Sequence, residues 1–431
     1  MRGACIPLSE SKSGREDGTI AVLSVFALAL FFSGGNLLVN VCLIAYFAWL
    51  VLTRELTLVI AAYIFMLFWE SYTTLPFASS ISVVGALVSL RCFLSLLRGR
   101  KVPALDLAVI LLLFCYGGLC FFLTRRLSGL EFATNSIIAA YVHQSLAKDE
   151  AKRKAFWRRV FRFMLFSGSL AILVGCYNYF TGRVKTVYLG GISRGRRFAG
   201  TLGTDRVCMM CCATAIYPLF YMKKGKLRLA LIGLCLLAII MTVGITAILC
   251  LALFALVYFC GVMRGRTIKR STKHRLILLL LAVLLLAVLA WQFSDRIGFV
   301  NSMVVRVKRV LAKLSDGDLV GATSHRSVLY EQYLGVFQGF SLPKKLLGSA
   351  SLSYYYEMGF SNQSHNSYID MLLYFGILPM LFLLFSVIRN IRSYKGSGIG
   401  LPILLLKVAY CFTGLSVSML TASYWWMIVL L

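Results

Sequence analysis

The residues in this chain best suited to chemistry are Ser364-His365-Asn366-Ser367-Tyr368-Ile369-Asp370. They stand where a polar stretch, roughly 292–366, returns to a strongly apolar one, roughly 367–387. A histidine at such a boundary is within reach of both water and lipid. Neutral imidazole accepts a proton near neutrality, which suits a general base acting on a hydroxyl nucleophile. The competing reading of His365 is a loop residue that only helps start the following helix. The other histidines differ. His143 and His274 sit among basic residues and read as solvated, and His325 shares the polar stretch with His365.

Arginine is the second ingredient. Arg326 opens an apolar stripe made of Leu329, Tyr333, Val336, Phe337 and Phe340, and Arg197 lies in Arg194-Gly195-Arg196-Arg197-Phe198-Ala199-Gly200. A guanidinium binds diphosphate oxygens as a bidentate fork and keeps its charge when partly dehydrated. Such groups could stabilise a diphosphate leaving group, and charge stabilisation of that kind is often the largest catalytic term. Lipid headgroups are the simpler partners for Arg194 and Arg196. Glu70, Glu131, Asp205 and Asp370 lie near the ends of apolar runs, where carboxylates serve function or pair with arginine. No clustered His/Asp/Glu set and no phosphate-binding glycine loop accompanies them, so the residues predict no divalent metal, no cofactor and no nucleotide site.

These residues must be positioned by an apolar scaffold. Of 431 residues, 59% are hydrophobic and 14% charged, with a mean hydropathy of +0.82. A soluble protein carries about 25% charged residues. Apolar runs recur at 19–34, 37–53, 56–72, 77–97, 104–124, 128–147, 157–180, 204–222, 227–242, 244–263, 275–292, 367–388, 400–415 and 417–431. Their lengths approach the roughly 20 residues that cross a bilayer. They do not alternate, which argues against a barrel. The fold expected is an all-α, polytopic integral membrane bundle of about 12–14 spans.

Net charge is +29. In a soluble protein this would suggest nucleic acid. Here the basic clusters follow the fourth, sixth, eighth, tenth and twelfth runs, and the positive-inside rule accounts for them without any nucleic-acid partner. The resulting division is a cytoplasmic tail at 1–18, spans over 19–292 with an outer loop at 181–203, a large outer loop at 293–366, and C-terminal spans at 367–431. The first run reads as a retained signal anchor, because no small-residue cleavage site follows it. Both outer loops are themselves basic, which topology does not explain and which calls for an anionic partner. In the large loop, Met303, Val307, Val310, Leu311 and Leu314 alternate with basic residues as an amphipathic helix suited to a membrane surface. Tyr354, Tyr355 and Tyr356 suit sugar stacking or interfacial anchoring. Thirteen cysteines are scattered, none in the outer loops. The C-x-x-C spacing of Cys208 and Cys211, beside Cys212, reads as small packing residues.

Three pieces together resemble a known family. Ser364 to Ile377 resembles the H-N-x-Y…G-I signature of the bacterial O-antigen polymerase and O-antigen ligase superfamily. Arg197-Phe198-Ala199-Gly200-Thr201 resembles its R-F-x-G-T element, and Arg326-Ser327-Val328-Leu329-Tyr330 its arginine-plus-aromatic helix start. The likeness covers roughly residues 190–390. It implies a membrane glycosyltransferase of the GT-C kind that takes glycan from undecaprenyl diphosphate on the outer face of the bacterial inner membrane. It further implies that His365 activates the acceptor and that Arg197 and Arg326 hold the diphosphate. Arg194, Arg196, Asn366, Tyr330, Tyr368 and Tyr355 would complete the substrate-binding set, without metal or cofactor. Implied partners are the lipid-linked glycan, membrane lipids, a flippase and a chain-length regulator. The residues leave open a ligase moving finished glycan to lipid A-core or another acceptor, and a lipid-linked oligosaccharide flippase.

Overall fold

A computed structural model describes most of residues 10–98, 128–264, 298–349 and 364–431. Short breaks fall at 74, 76–78, 147–148, 184–187, 190–191, 194–197, 199–200, 203–205, 243, 324–325, 395–396, 418 and 420–421, and residues 114, 115, 118 and 292 are described singly. The runs expected at 104–124 and 275–292 lie almost wholly outside the described residues.

The described residues are helical. The helices, in order, are α1 (Glu10–Phe32), α2 (Leu37–Thr53), α3 (Leu56–Leu67), α4 (Ser80–Arg98), α5 (Ser128–Leu146), α6 (Glu150–Phe180), α7 (Val207–Phe220), α8 (Lys226–Met241) and α9 (Ile245–Arg264). There follow α10 (Gly298–Ser315), α11 (Leu319–Ala322), α12 (Arg326–Gln338), α13 (Leu342–Leu347), α14 (Ser367–Phe375), α15 (Ile377–Ser393), α16 (Gly400–Gly414) and α17 (Ser423–Leu430). One departure from the all-α expectation is a minimal antiparallel hairpin, β1 (Tyr188–Leu189) with β2 (Ile192–Ser193), inside the 181–203 loop.

Among the described residues, three helices are long and apolar enough to cross a membrane: Ser80–Arg98, Glu150–Phe180 and Ile245–Met263. Shorter apolar helices span Leu37–Thr53, Leu56–Leu67, Val207–Phe220 and Gly400–Gly414. Leu38, Leu52, Phe180 and Leu229 are each 70–82% exposed, so the helices turn large apolar side chains outward as well as inward. Water penalises such a surface and hydrocarbon does not. Helix contacts use small residues, as expected where lipid supplies no hydrophobic drive between helices. A Cβ added at Gly168 of α6 would collide with the Thr214 hydroxyl of α7. Beside it, Ser167 receives the Trp69 indole N–H at 3.1 Å and donates to the Phe65 carbonyl at 2.6 Å.

The helix ends gather into two groups. At one, Glu16 of α1 accepts from Arg159 at 2.7 Å and from Arg162 at 3.3 Å, and Arg159 also donates to Thr57 at 2.7 Å. Arg91 of α4 caps the end of α2 by donating to the carbonyls of Val51 and Arg54. Asp149 caps α6, accepting from the Lys152 amide at 2.9 Å, and that bond holds its carboxyl below the usual carboxylate range. The Trp157 indole donates to the Tyr394 hydroxyl at 3.1 Å. This end carries Arg153 and Arg159, members of the sequence's basic clusters. At the other end Ser80 donates to Asn40 at 2.6 Å, Thr201 donates to the Phe68 carbonyl at 2.6 Å, and the Phe198 amide donates to the Met241 carbonyl at 3.1 Å.

Four expectations need correction. Helix α1 begins at Glu10, inside the stretch read as a free tail, because buried Glu16 is anchored by two arginines. The run at 367–388 is not one helix. It breaks at Gly376 (φ +81), where a Cβ would collide with the Leu346 carbonyl. There the turn at Gly348 (φ +78) packs backbone to backbone against it, and the Ser349 amide donates to the Leu373 carbonyl at 2.8 Å. The run at 417–431 holds only the eight-residue α17. His143 is not a solvated residue; its Nε2 lies 3.0 Å from the Leu430 carbonyl.

Candidate functional site

Helix α14 starts where it does because Asn366 caps it. The Asn366 side-chain oxygen accepts from the amides of Tyr368 and Ile369 at 2.9 and 3.2 Å, which serves two of the orphan donors of the first turn. Two residues earlier, Ser364 donates its hydroxyl to Asp370 Oδ1 at 2.5 Å and accepts from the Asn366 amide at 3.0 Å. Ser364, Asn366 and Asp370 are all buried. His365 alone in this turn is exposed, and its φ is +56.

Among the described residues it is the one non-glycine with positive φ. The left-handed region costs an ordinary residue roughly 1–2 kcal/mol. The turn tolerates this because it is fastened on both sides, by the Asn366 cap and by the Ser364–Asp370 bond. Backbone strain held in place by its surroundings, under an exposed titratable side chain, is a common mark of a functional position.

The surroundings come from two other segments. Ser367 donates to the Val417 carbonyl at 2.7 Å and accepts from the Met419 amide at 2.9 Å. The Tyr368 hydroxyl donates to the Cys411 carbonyl at 2.9 Å, with its ring edge-on to Trp425 at 6.4 Å. Helix α12 lies against α14 through fully buried Tyr333, which packs with Ile369 and Leu373. Leu329, Tyr330, Val336, Phe337 and Phe340 surround this contact, the stripe read from the sequence. Burial, together with the nearby negative charge of Asp370, pushes the Tyr333 phenol up to about 12. The Tyr330 hydroxyl donates to the Leu415 carbonyl at 3.1 Å. The starts of α12 and α14 are therefore both fastened to the turn carrying Leu415, Val417 and Met419. That brings Arg326, one helical turn before Tyr330, to the same end of the molecule as His365. Two helix N-termini and a guanidinium there favour an anion.

The other sequence-derived residues fall as follows. Arg194, Arg196, Arg197, His325 and Tyr355 lie outside the described residues. Phe198 and Thr201, which flank the arginine cluster, are buried and fastened to Met241 and Phe68, at the end opposite the basic clusters. Asn366, Tyr330 and Tyr368 are present at the site, but the polar atoms just described hold the fold together. Their first role is structural. The side chains of Glu131 and residue 205 are likewise outside the described set, and Arg206 stands over the Tyr424 ring at 5.9 Å. Ser364 belongs to the stretch the sequence points to, but the sequence assigns it no role. Its bond to Asp370 depends on the left-handed turn between them, and only the pairing of a serine with a carboxylate six residues on hints at it. A cavity of about 560 Å³ opens at the opposite, basic end, lined by Glu55, Arg91, Lys152 and Arg159 among others, and is separate from this site.

Replacing Ser364 by alanine should leave the buried Asp370 carboxylate without this donor, at a cost of about 1–3 kcal/mol. A lowered thermal unfolding midpoint in detergent, with loss of activity, is the expected result; an unchanged midpoint would show that the bond does not hold the turn.

No protein-family model matches this chain, and no curated protein matches it.

Proposed function

We propose that this chain is a polytopic membrane glycosyltransferase that polymerises polyprenyl-diphosphate-linked oligosaccharide repeat units on the outer face of a bacterial inner membrane. The observation that carries the reading is His365, exposed and strained between buried Ser364 and Asn366, with the Arg326-initiated α12 packed on the same helix. In this reading the end bearing the basic clusters faces the cytoplasm, and the end bearing His365 faces outward. The exposed apolar side of α10, where Val305, Leu311 and Leu314 are turned outward, lies along the outer membrane surface.

The reaction then runs as a direct displacement. His365 takes the proton of the acceptor hydroxyl. The freed oxygen attacks the anomeric carbon of the donor sugar as the bond to diphosphate breaks, so the configuration inverts. The negative charge of the departing polyprenyl diphosphate meets Arg326, Arg197 and the N-termini of α12 and α14. Arginine supplies the counter-charge, so the reading needs neither metal nor nucleotide; the donor carries its own energy in the diphosphate bond. Confinement of both substrates to the membrane plane supplies much of their orientation. A flippase that delivers the donor and a regulator of chain length are the cellular partners this reading implies.

The same chemistry with another acceptor would make the chain a ligase. Deleting the gene separates the two. A polymerase loss leaves a single repeat on the final acceptor; a ligase loss leaves none, with glycan of full length still on the lipid carrier. The first outcome is expected.

A further inference from the structure

Three cysteines converge in the bundle and are unused by the reaction above. Cys208 and Cys212 stand one turn apart on the same face of α7, and Cys250 faces them from α9. All three are at most 2% exposed, and their sulfurs lie within 4.8 Å of one another, with 3.9 Å between Cys208 and Cys212. The pair that matters is thus spaced i, i+4, which shares a helix face. Cys211, the partner in the C-x-x-C spacing, is outside the group.

We propose that Cys208, Cys212 and Cys250 form a binding site for a thiophilic, three-coordinate cation of the Cu(I) class. A metal–sulfur bond of about 2.3 Å places three sulfurs around a trigonal ion about 4.0 Å apart, close to the spacing already present. Zinc in structural sites takes four ligands, and among the described residues no fourth cysteine, histidine or carboxylate joins the group. Soft thiolates select Cu(I). Small size alone explains one buried thiol; it does not explain three sulfurs from two helices arranged around one point.

One end of the site carries a positive helix dipole that favours the bound form. Three thiols and one Cu(I) become a copper tris-thiolate of net charge −2, with three protons released. Cys208 is the second residue of α7, where the helix N-terminus favours thiolate, and Arg206 precedes it. The Cys208 thiol now donates to the Ala247 carbonyl at 3.2 Å, and Cys250 Sγ lies 3.8 Å from the Ala409 carbonyl and 3.9 Å from the Thr413 hydroxyl. Helix α16 thereby closes the third side, and no oxidation or reduction is involved.

The test uses the full chain purified in detergent without oxygen, titrated with Cu(I) against the chelator bathocuproine disulfonate. One equivalent retained, an ultraviolet thiolate-to-copper absorption band and three sulfur neighbours by X-ray absorption are expected. Cys208→Ser, Cys212→Ser and Cys250→Ser together should abolish retention, and Cys250→Ala alone should weaken it at least tenfold. Gel filtration checks that each variant is folded, and the single alanine variant serves if the triple one is not. Replacing the exposed Cys42, Cys115 and Cys260 by serine should change nothing. No retention by the unaltered protein, equal retention by Cys250→Ala, or stoichiometric Zn(II) binding in preference to Cu(I) would overturn the proposal.

Discussion

His365→Gly should abolish glycan chain growth while leaving the protein as stable as before, or slightly more so. Glycine adopts φ near +56 at no steric cost, so the substitution relieves the turn that histidine strains. Ser364, Asn366 and Asp370 stay in place, and the bonds that fasten the turn run between their own side chains and amides. What disappears is the imidazole. Loss of a general base costs roughly 100- to 10,000-fold in rate. Single repeat units should accumulate on the lipid carrier, seen as the collapse of a glycan ladder to its lowest band. His365→Ala should behave alike in activity but be about 1 kcal/mol less stable than His365→Gly, since alanine keeps the left-handed strain that histidine bears. A variant that is inactive and also unfolds early would reassign His365 to a structural role. One that still makes long chains would remove it from the chemistry.

The second large effect is expected at Lys407, which the reaction does not use. Lys407 of α16 is 1% exposed, and its ammonium donates to the carbonyls of Ile428 and Val429, both at 2.7 Å. Asn390 and His143 reach the neighbouring carbonyl of Leu430 at 3.4 and 3.0 Å. The carbonyls of Ile428, Val429 and Leu430 in α17 lie inside the bundle, where an unserved carbonyl is costly. Cationic and amide donors serve them. Lys407→Met keeps the side-chain length and removes the donors. With two carbonyls orphaned at about 1–3 kcal/mol each, the loss is about 2–6 kcal/mol. Thermal unfolding in detergent should fall accordingly, with Lys407→Gln intermediate. Activity should fall with it, because Trp425 of α17 bonds the Tyr410 carbonyl and abuts Tyr368. A Lys407→Met protein of full stability would mean that the bundle gains by losing a buried charge, as some buried ion pairs do when replaced.

Much of the scaffold is readable in the sequence because length and hydropathy are strong signals there. The runs at 37–53, 157–180 and 244–263 reappear as α2, the apolar part of α6, and α9. The stripe from Leu329 to Phe340 also reappears, as the face that α12 lays on α14, since a 3.6-residue period survives any tertiary context. The breaks do not show. Nothing in Tyr374-Phe375-Gly376-Ile377 tells that the glycine will be left-handed; that is fixed by the loop around Gly348 packing on it. The short α17 is hidden for the same reason, as its end is stabilised by a lysine about twenty residues earlier and a histidine nearly three hundred residues earlier.

At the site, the types were more legible than the roles. His365, Arg326, Tyr330 and Tyr368 fall among the described residues, at one end of the bundle, while Arg194, Arg196, Arg197 and Tyr355 lie outside them. The helix-starting role considered for His365 belongs to Asn366, and the hydroxyls of Tyr330 and Tyr368 serve carbonyls at 415 and 411. Asp370, suspected of pairing with arginine, takes the hydroxyl of Ser364. These assignments depend on which backbone groups a fold leaves without partners, and that is decided only once the helices are placed.

The most direct measurement of the central claim is chain growth by the purified protein in liposomes, supplied with polyprenyl-diphosphate-linked repeat units and nothing else. The account predicts a ladder of lengthening glycans, made without nucleotide or added divalent metal, that vanishes in His365→Gly. Donor that remains single-unit, or that merely crosses the bilayer unchanged, would contradict it.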